Sequence, residues 1–149
     1  MSISVSRTVH TSTPLEACWK YLSDFSNTTE WDPGTVSCRQ TTPGPIGVGT
    51  EFENVSTFRD RTTTLQYQVT TFDPHRRLVL EGQNKTVTSV DDLTFAPDGQ
   101  GTEVVYTAHF TFHGLAKLAE PVLGRPLNGL ADEAAAGLQR ALDGLSAAS

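Results

Sequence analysis

Residues 127–145 read LNGLADEAAAGLQRALDGL, and in them Leu127, Leu130, Ala134, Leu138, Ala141, Leu142 and Leu145 recur at three- and four-residue intervals. That spacing predicts an amphipathic helix of about five turns with one continuous apolar face. Residues 115–120 can begin the same helix, but Pro121 and Pro126 each remove a backbone donor, so a kink or two unequal helical pieces is expected. Ala134 and Gly137 place two small residues beside Leu130, Leu138 and Ala141. Either the helix packs closely there or it leaves volume for a ligand beneath it.

Upstream of the helix the period changes to that of a meander. Strands are expected over residues 50–58, 62–72, 77–82, 85–95 and 102–112, with reversals at Asp73-Pro74-His75 and at 97–101. Short connections favour antiparallel pairing, because parallel crossovers need longer ones. Near the N-terminus, residues 3–10 read as a first strand. Thr13-Pro14-Leu15-Glu16 then reads as a helix start, with Thr13 as cap, Pro14 at the first helical position and Glu16 completing a capping box. Leu15, Cys18, Trp19 and Leu22 give that helix an apolar side. Ser23-Asp24 offers a second cap before a short helix ending near Trp31, Asp32-Pro33-Gly34 is a turn signal, and residues 36–40 form a further strand. Six or seven strands with one long covering helix make an α+β pattern, and residues 1–149 are read as one domain.

The composition, 37 % hydrophobic and 19 % charged over 149 residues, is ordinary for a globular protein and argues against disorder. Basic residues number 11 against 17 acidic ones, for a formal charge of -6, and no Lys/Arg block exceeds Arg76-Arg77. Nucleic acid is therefore not an expected partner, since nonspecific binding needs a basic footprint, and attachment to an anionic membrane is disfavoured. Residues 1–7 hold no long apolar run, so neither a secretory signal nor stable membrane insertion is expected there, and a cytoplasmic protein is the simplest reading. Cys18 and Cys38 read as small hydrophobes in or near the core and not as a disulfide.

Thr13-Pro14-Leu15-Glu16, Trp19, Leu22-Ser23-Asp24-Phe25-Ser26-Asn27 and Glu30-Trp31-Asp32-Pro33-Gly34, followed by Gly47-Val48-Gly49-Thr50 before a strand, the meander and the long terminal helix, form an order that resembles the polyketide cyclase/dehydrase and lipid-transport superfamily, also called SRPBCC or START-like. The resemblance implies a helix-grip fold. Two short helices would follow the first strand, a curved antiparallel sheet would form a groove, and the terminal helix would close it around a cavity. It also implies a range of roles, since members bind lipids, sterols, polyketides, hormones or other hydrophobic compounds, while others catalyse cyclisation or dehydration or modulate partner proteins. Functional residues vary among them, so no catalytic role passes to Trp31 or Pro33.

Strand parity supplies an inward set that includes Phe52, Asn54, Tyr67, Tyr106 and Phe110. Mainly apolar side chains with a few convergent polar groups suit a small-molecule pocket, and equally a filled core. These five are candidate ligand contacts, joined on the helix by Ala134, Gly137 and Leu138. Each tyrosine can offer its hydroxyl to a ligand or to nearby backbone, and an inward Asn54 amide needs partners from protein, water or ligand. For residues 85–95, aligning Leu93 and Phe95 inward also turns Ser89 and Asp91 inward, whereas a bulge reverses part of that assignment. Asp91 is read as a surface residue; the alternative is an inward carboxylate, its pKa raised by burial, as a candidate general acid or base.

His10, His75, His109 and His113 show no metal-site pattern, and no cofactor is expected. The chain also lacks a Gly-x-Ser-x-Gly elbow, a Walker loop and a dinucleotide glycine fingerprint. The leading expectation is a binder of a small hydrophobic or amphipathic molecule in an internal cavity. The alternatives are a polyketide cyclase- or dehydratase-like enzyme using Tyr67, Tyr106 or Asp91, and a ligand-independent protein-interaction or stress-response module with an unknown protein partner.

Overall fold

A computed structural model describes residues 2–147; Met1, Ala148 and Ser149 of the expected 1–149 span lie outside the described residues. Its strands are β1 Ser2–Thr11, β2 Thr35–Gln40, β3 Glu51–Phe58, β4 Arg61–Asp73, β5 Arg77–Gln83, β6 Val87–Asp98 and β7 Gly101–Phe112. They form one antiparallel sheet in the order β1-β7-β6-β5-β4-β3-β2. Each strand from β2 to β6 pairs with the next. The first strand closes the order by pairing along its whole length with β7, with Val5 opposite Ala108 and Val9 opposite Val104.

Helix α1 (Leu15–Leu22), a 3-10 turn (Phe25–Asn27) and α2 (Thr28–Trp31) occupy the connection from β1 to β2. A second 3-10 segment, Gly114–Ala119, leads into α3, Glu120–Ala147, which packs along β1 and α2. This is the helix-grip fold, a curved antiparallel sheet closed by its last helix. Period-two alternation in β6 and β7 buries Leu93, Phe95, Val104, Tyr106 and Ala108 on one face, and Leu138 and Leu142 of α3 join them. Trp19 fixes α1 to the sheet by edge contacts with Phe72 at 5.2 Å and Phe95 at 5.1 Å. Such ring pairs add about 1 kcal/mol each beyond their buried area.

Thr13 does not form the expected capping box. Helix α1 has no side-chain cap, and the buried Thr13 hydroxyl donates to the Leu142 carbonyl of α3 while its own carbonyl accepts from Thr102 Oγ1 at 2.7 Å. A tertiary bond from the segment before α1 to α3 has taken the hydroxyl from the local one. Asp24 behaves as expected, accepting from the Ser26 N–H at 3.0 Å.

The terminal helix also departs from expectation, because α3 runs unbroken through Pro126. Pro121 falls in the first turn, where an N–H has no intrahelical acceptor. Pro126 forfeits the bond to the Val122 carbonyl, at a place where Val122 is exposed and water can take that acceptor. The division between unequal helical pieces lies at Ala119, where 3-10 geometry gives way to α. At Gly137 the choice between packing and volume is resolved for packing, since an added Cβ would collide with the Trp31 carbonyl oxygen.

Candidate functional site

Between α3 and the sheet lies a cavity of about 270 Å³. Its apolar wall comes from Leu65, Ala108, Phe110 and Phe112 on the strands and from Leu127, Leu130 and Ala134 on α3. Tyr67, Asp91, Tyr106, Ser89, Asn54 and Asp32 supply polar groups.

The strand ladder explains why these groups converge. Both ladders of β6 run without interruption, placing Asp91 opposite Leu80 on β5 and Ala108 on β7. With no bulge, Asp91 shares the inward parity of Leu93 and Phe95, and it is only 5 % exposed. The surface reading of Asp91 is therefore corrected. Asp92 faces the other way and pairs with Arg77, Nη2 to Oδ2 2.7 Å. From β7, the Tyr106 hydroxyl donates to Asp91 Oδ1 at 3.1 Å. Tyr67 stands on β4, one strand further away, and reaches the same carboxylate across Gly82 of β5. A Cβ on Gly82 would lie 2.6 Å from the Tyr67 ring, so the missing side chain makes room for the phenol to cross. Phe25 holds the other side of that ring at 4.9 Å, and Trp31 meets the Tyr106 ring edge-on at 5.6 Å.

Asp32 approaches from the turn between α2 and β2. Its Oδ1 accepts the Gly34 N–H at 3.0 Å and its Oδ2 accepts the Thr35 hydroxyl at 3.1 Å, an Asx turn that aims the carboxylate inward. Burial raises its pKa, opposed by those two bonds. Asp91 is pushed up to about 7, first by burial and then by the charge of Asp32, while the bonds from Tyr106 and Tyr67 pull the other way. Both phenols are driven well above the ordinary tyrosine value by burial and by the neighbouring Asp91 charge. Asn54 contacts the Cys38 thiol, itself raised by burial. An acid poised near neutrality between two phenols can hold a donor or cation, or exchange a proton with a bound molecule.

Of the sequence candidates, Asn54, Tyr67, Asp91, Tyr106, Phe110 and Ala134 line the cavity. Phe52, Gly137 and Leu138 do not. Phe52 is fully buried against Phe25, with ring centroids 5.9 Å apart, Gly137 abuts α2, and Leu138 is fully buried in the core. Asp32 was missed because Asp-Pro-Gly reads as a turn former; nothing in that spacing reveals that the turn abuts β6. Cys18 and Cys38 are free thiols. Among the described residues, no cluster of three or more His, Cys, Asp or Glu is placed to hold a metal ion, and no helix is long and apolar enough to cross a membrane.

A family model described as polyketide cyclase / dehydrase and lipid transport matches residues 2–147. No curated protein matches the sequence. Among solved structures, the Zhui aromatase/cyclase of a Streptomyces species aligns with TM-score 0.75 and 15 % identity, covering 97 % of this chain and 93 % of that one. A Thermus thermophilus protein aligns with TM-score 0.78 and 16 % identity over 100 % of both chains. A START superfamily protein of Mycobacterium smegmatis gives 0.72 and 18 %, covering 95 % of this chain and 94 % of that one. At these identities the structural likeness establishes the fold, and the family model supplies the membership: the chain belongs to the polyketide cyclase/dehydrase and lipid transport family of the SRPBCC or START-like superfamily.

Proposed function

We propose that the protein binds a small hydrophobic or amphipathic molecule beneath α3, with the polar end of that molecule at Asp91, Tyr67 and Tyr106. The observation that carries this reading is the apolar cavity of about 270 Å³ whose carboxylate and phenols gather together. Native mass spectrometry of protein purified without additives should show a retained compound or saturable uptake of one equivalent of a neutral naphthyl alcohol. Ala134→Leu fills part of the cavity from α3 and should weaken that uptake about tenfold while the far-UV circular dichroism is kept. Unchanged affinity in the folded variant overturns the location.

Asp91 favours a second reading, a cyclase- or dehydratase-like enzyme. A carboxyl near 7 is matched to proton transfer at neutral pH, and a cavity between helix and sheet can hold a folded polyketone in reactive geometry. A substrate-independent test is solvent deuterium exchange at the carbon next to the carbonyl of 2-tetralone. Wild type should accelerate exchange and Asp91→Asn should lose the acceleration; equal rates in both would remove Asp91 from this role.

A further inference from the structure

We infer that the cavity selects a ligand whose polar end is a cation or a hydrogen-bond donor, an amine above all, and rejects anionic amphiphiles such as fatty acids and phospholipids. This rests on the ligand-binding reading above and adds the sign of the charge.

Among the described residues, no Lys, Arg or His lines the cavity, whereas Asp91 and Asp32 both do. A carboxylate or phosphate entering this space would meet like charge in a low dielectric with no cation to receive it. The Tyr106 phenol does not relieve that mismatch, because it donates to Asp91, and Tyr67 is turned toward the same carboxylate. An ionised Asp91 has about four lone-pair positions, so acceptor capacity remains. Asn54 is 5 % exposed with the Cys38 thiol as its side-chain partner, and its amide keeps further capacity toward the cavity. An ammonium group placed here offsets the desolvation that opposes Asp91 ionisation. The chain's formal charge of -6 has the same sense, drawing cations toward the protein.

Three ligands with one ring system test this: 2-(2-naphthyl)ethylamine, 2-(2-naphthyl)ethanol and 2-naphthylacetic acid, titrated calorimetrically into the wild-type protein. At pH 8 the amine should bind about tenfold more tightly than the alcohol and the acid about tenfold more weakly. Asp91→Asn should bring the amine to within about twofold of the alcohol. A readout without mutation is the pH dependence, since the amine's advantage should shrink from pH 8 to pH 5 as Asp91 takes up its proton. The titratable groups facing that carboxylate are Tyr67 from β4, Tyr106 from β7, Cys38 from β2 and Asp32 from the α2–β2 turn; β5 presents Leu80. An acid that equals or exceeds the amine while the alcohol still saturates overturns the charge preference and leaves the binding reading standing. Failure of all three to saturate overturns both.

Discussion

Replacing Asp91 by Asn should stabilise the protein, and increasingly so as pH rises. The carboxyl titrates near 7 in the fold against an ordinary value of 3.8. Between those values the folded state keeps a proton that the unfolded state has released, so wild-type stability falls with rising pH. At 1.36 kcal/mol per unit the cost is at most about 4 kcal/mol by pH 8, where Asp91 is charged in both states. An asparagine cannot ionise, yet its Oδ1 still accepts from the Tyr106 hydroxyl. The two proteins should therefore be of similar stability at pH 4 and diverge between pH 4 and 7, the variant melting roughly 10 °C higher at pH 8. Scanning calorimetry or urea titration at each pH reads this directly. A stability difference that is constant across pH, or one that turns against the variant as pH rises, would refute the placement of Asp91 in an apolar interior.

Two backbone contacts yield further predictions. Gly137→Ala forces a methyl group against the Trp31 carbonyl and should destabilise the fold by about 1–3 kcal/mol, read by urea denaturation; a neutral effect would show that α2 and α3 are not in backbone contact. Gly82→Ala should push the Tyr67 ring off β5 and separate its hydroxyl from Asp91. The variant should then show a higher Asp91 pKa by carboxyl-carbon NMR, because a bond that stabilises the charged form is lost. An unshifted titration would place Tyr67 outside the Asp91 environment.

The sheet was legible because its strands alternate. The inward parity of Tyr67, Tyr106, Ala108 and Phe110 follows from period two, and the observed β7, Gly101–Phe112, differs by one residue from the expected 102–112. Asp91 was misread because local pattern does not reveal a bulge; only uninterrupted pairing with both β5 and β7 fixes its side. Thr13 was misread for a different reason. Its sequence neighbours satisfy the capping rule, but the hydroxyl is claimed by Leu142, 129 positions away. Gly137 announced a small residue without naming its neighbour, and the Trp31 carbonyl is a long-range contact that no helical period encodes. The family resemblance carried the helix-grip architecture, and Asp32 stands among the residues that carry it, but the approach of Asp32 to Asp91 follows from the turn and the strand register, which no local pattern shows.

A crystal structure of the protein with 2-(2-naphthyl)ethanol tests the central claim most directly. The naphthyl ring should lie between α3 and the sheet against Phe110 and Ala134, with the hydroxyl within hydrogen-bond distance of Asp91 or Asn54. A ring seated outside, for instance on the exposed Leu115 and Leu118, with side chains filling the cavity, would contradict it.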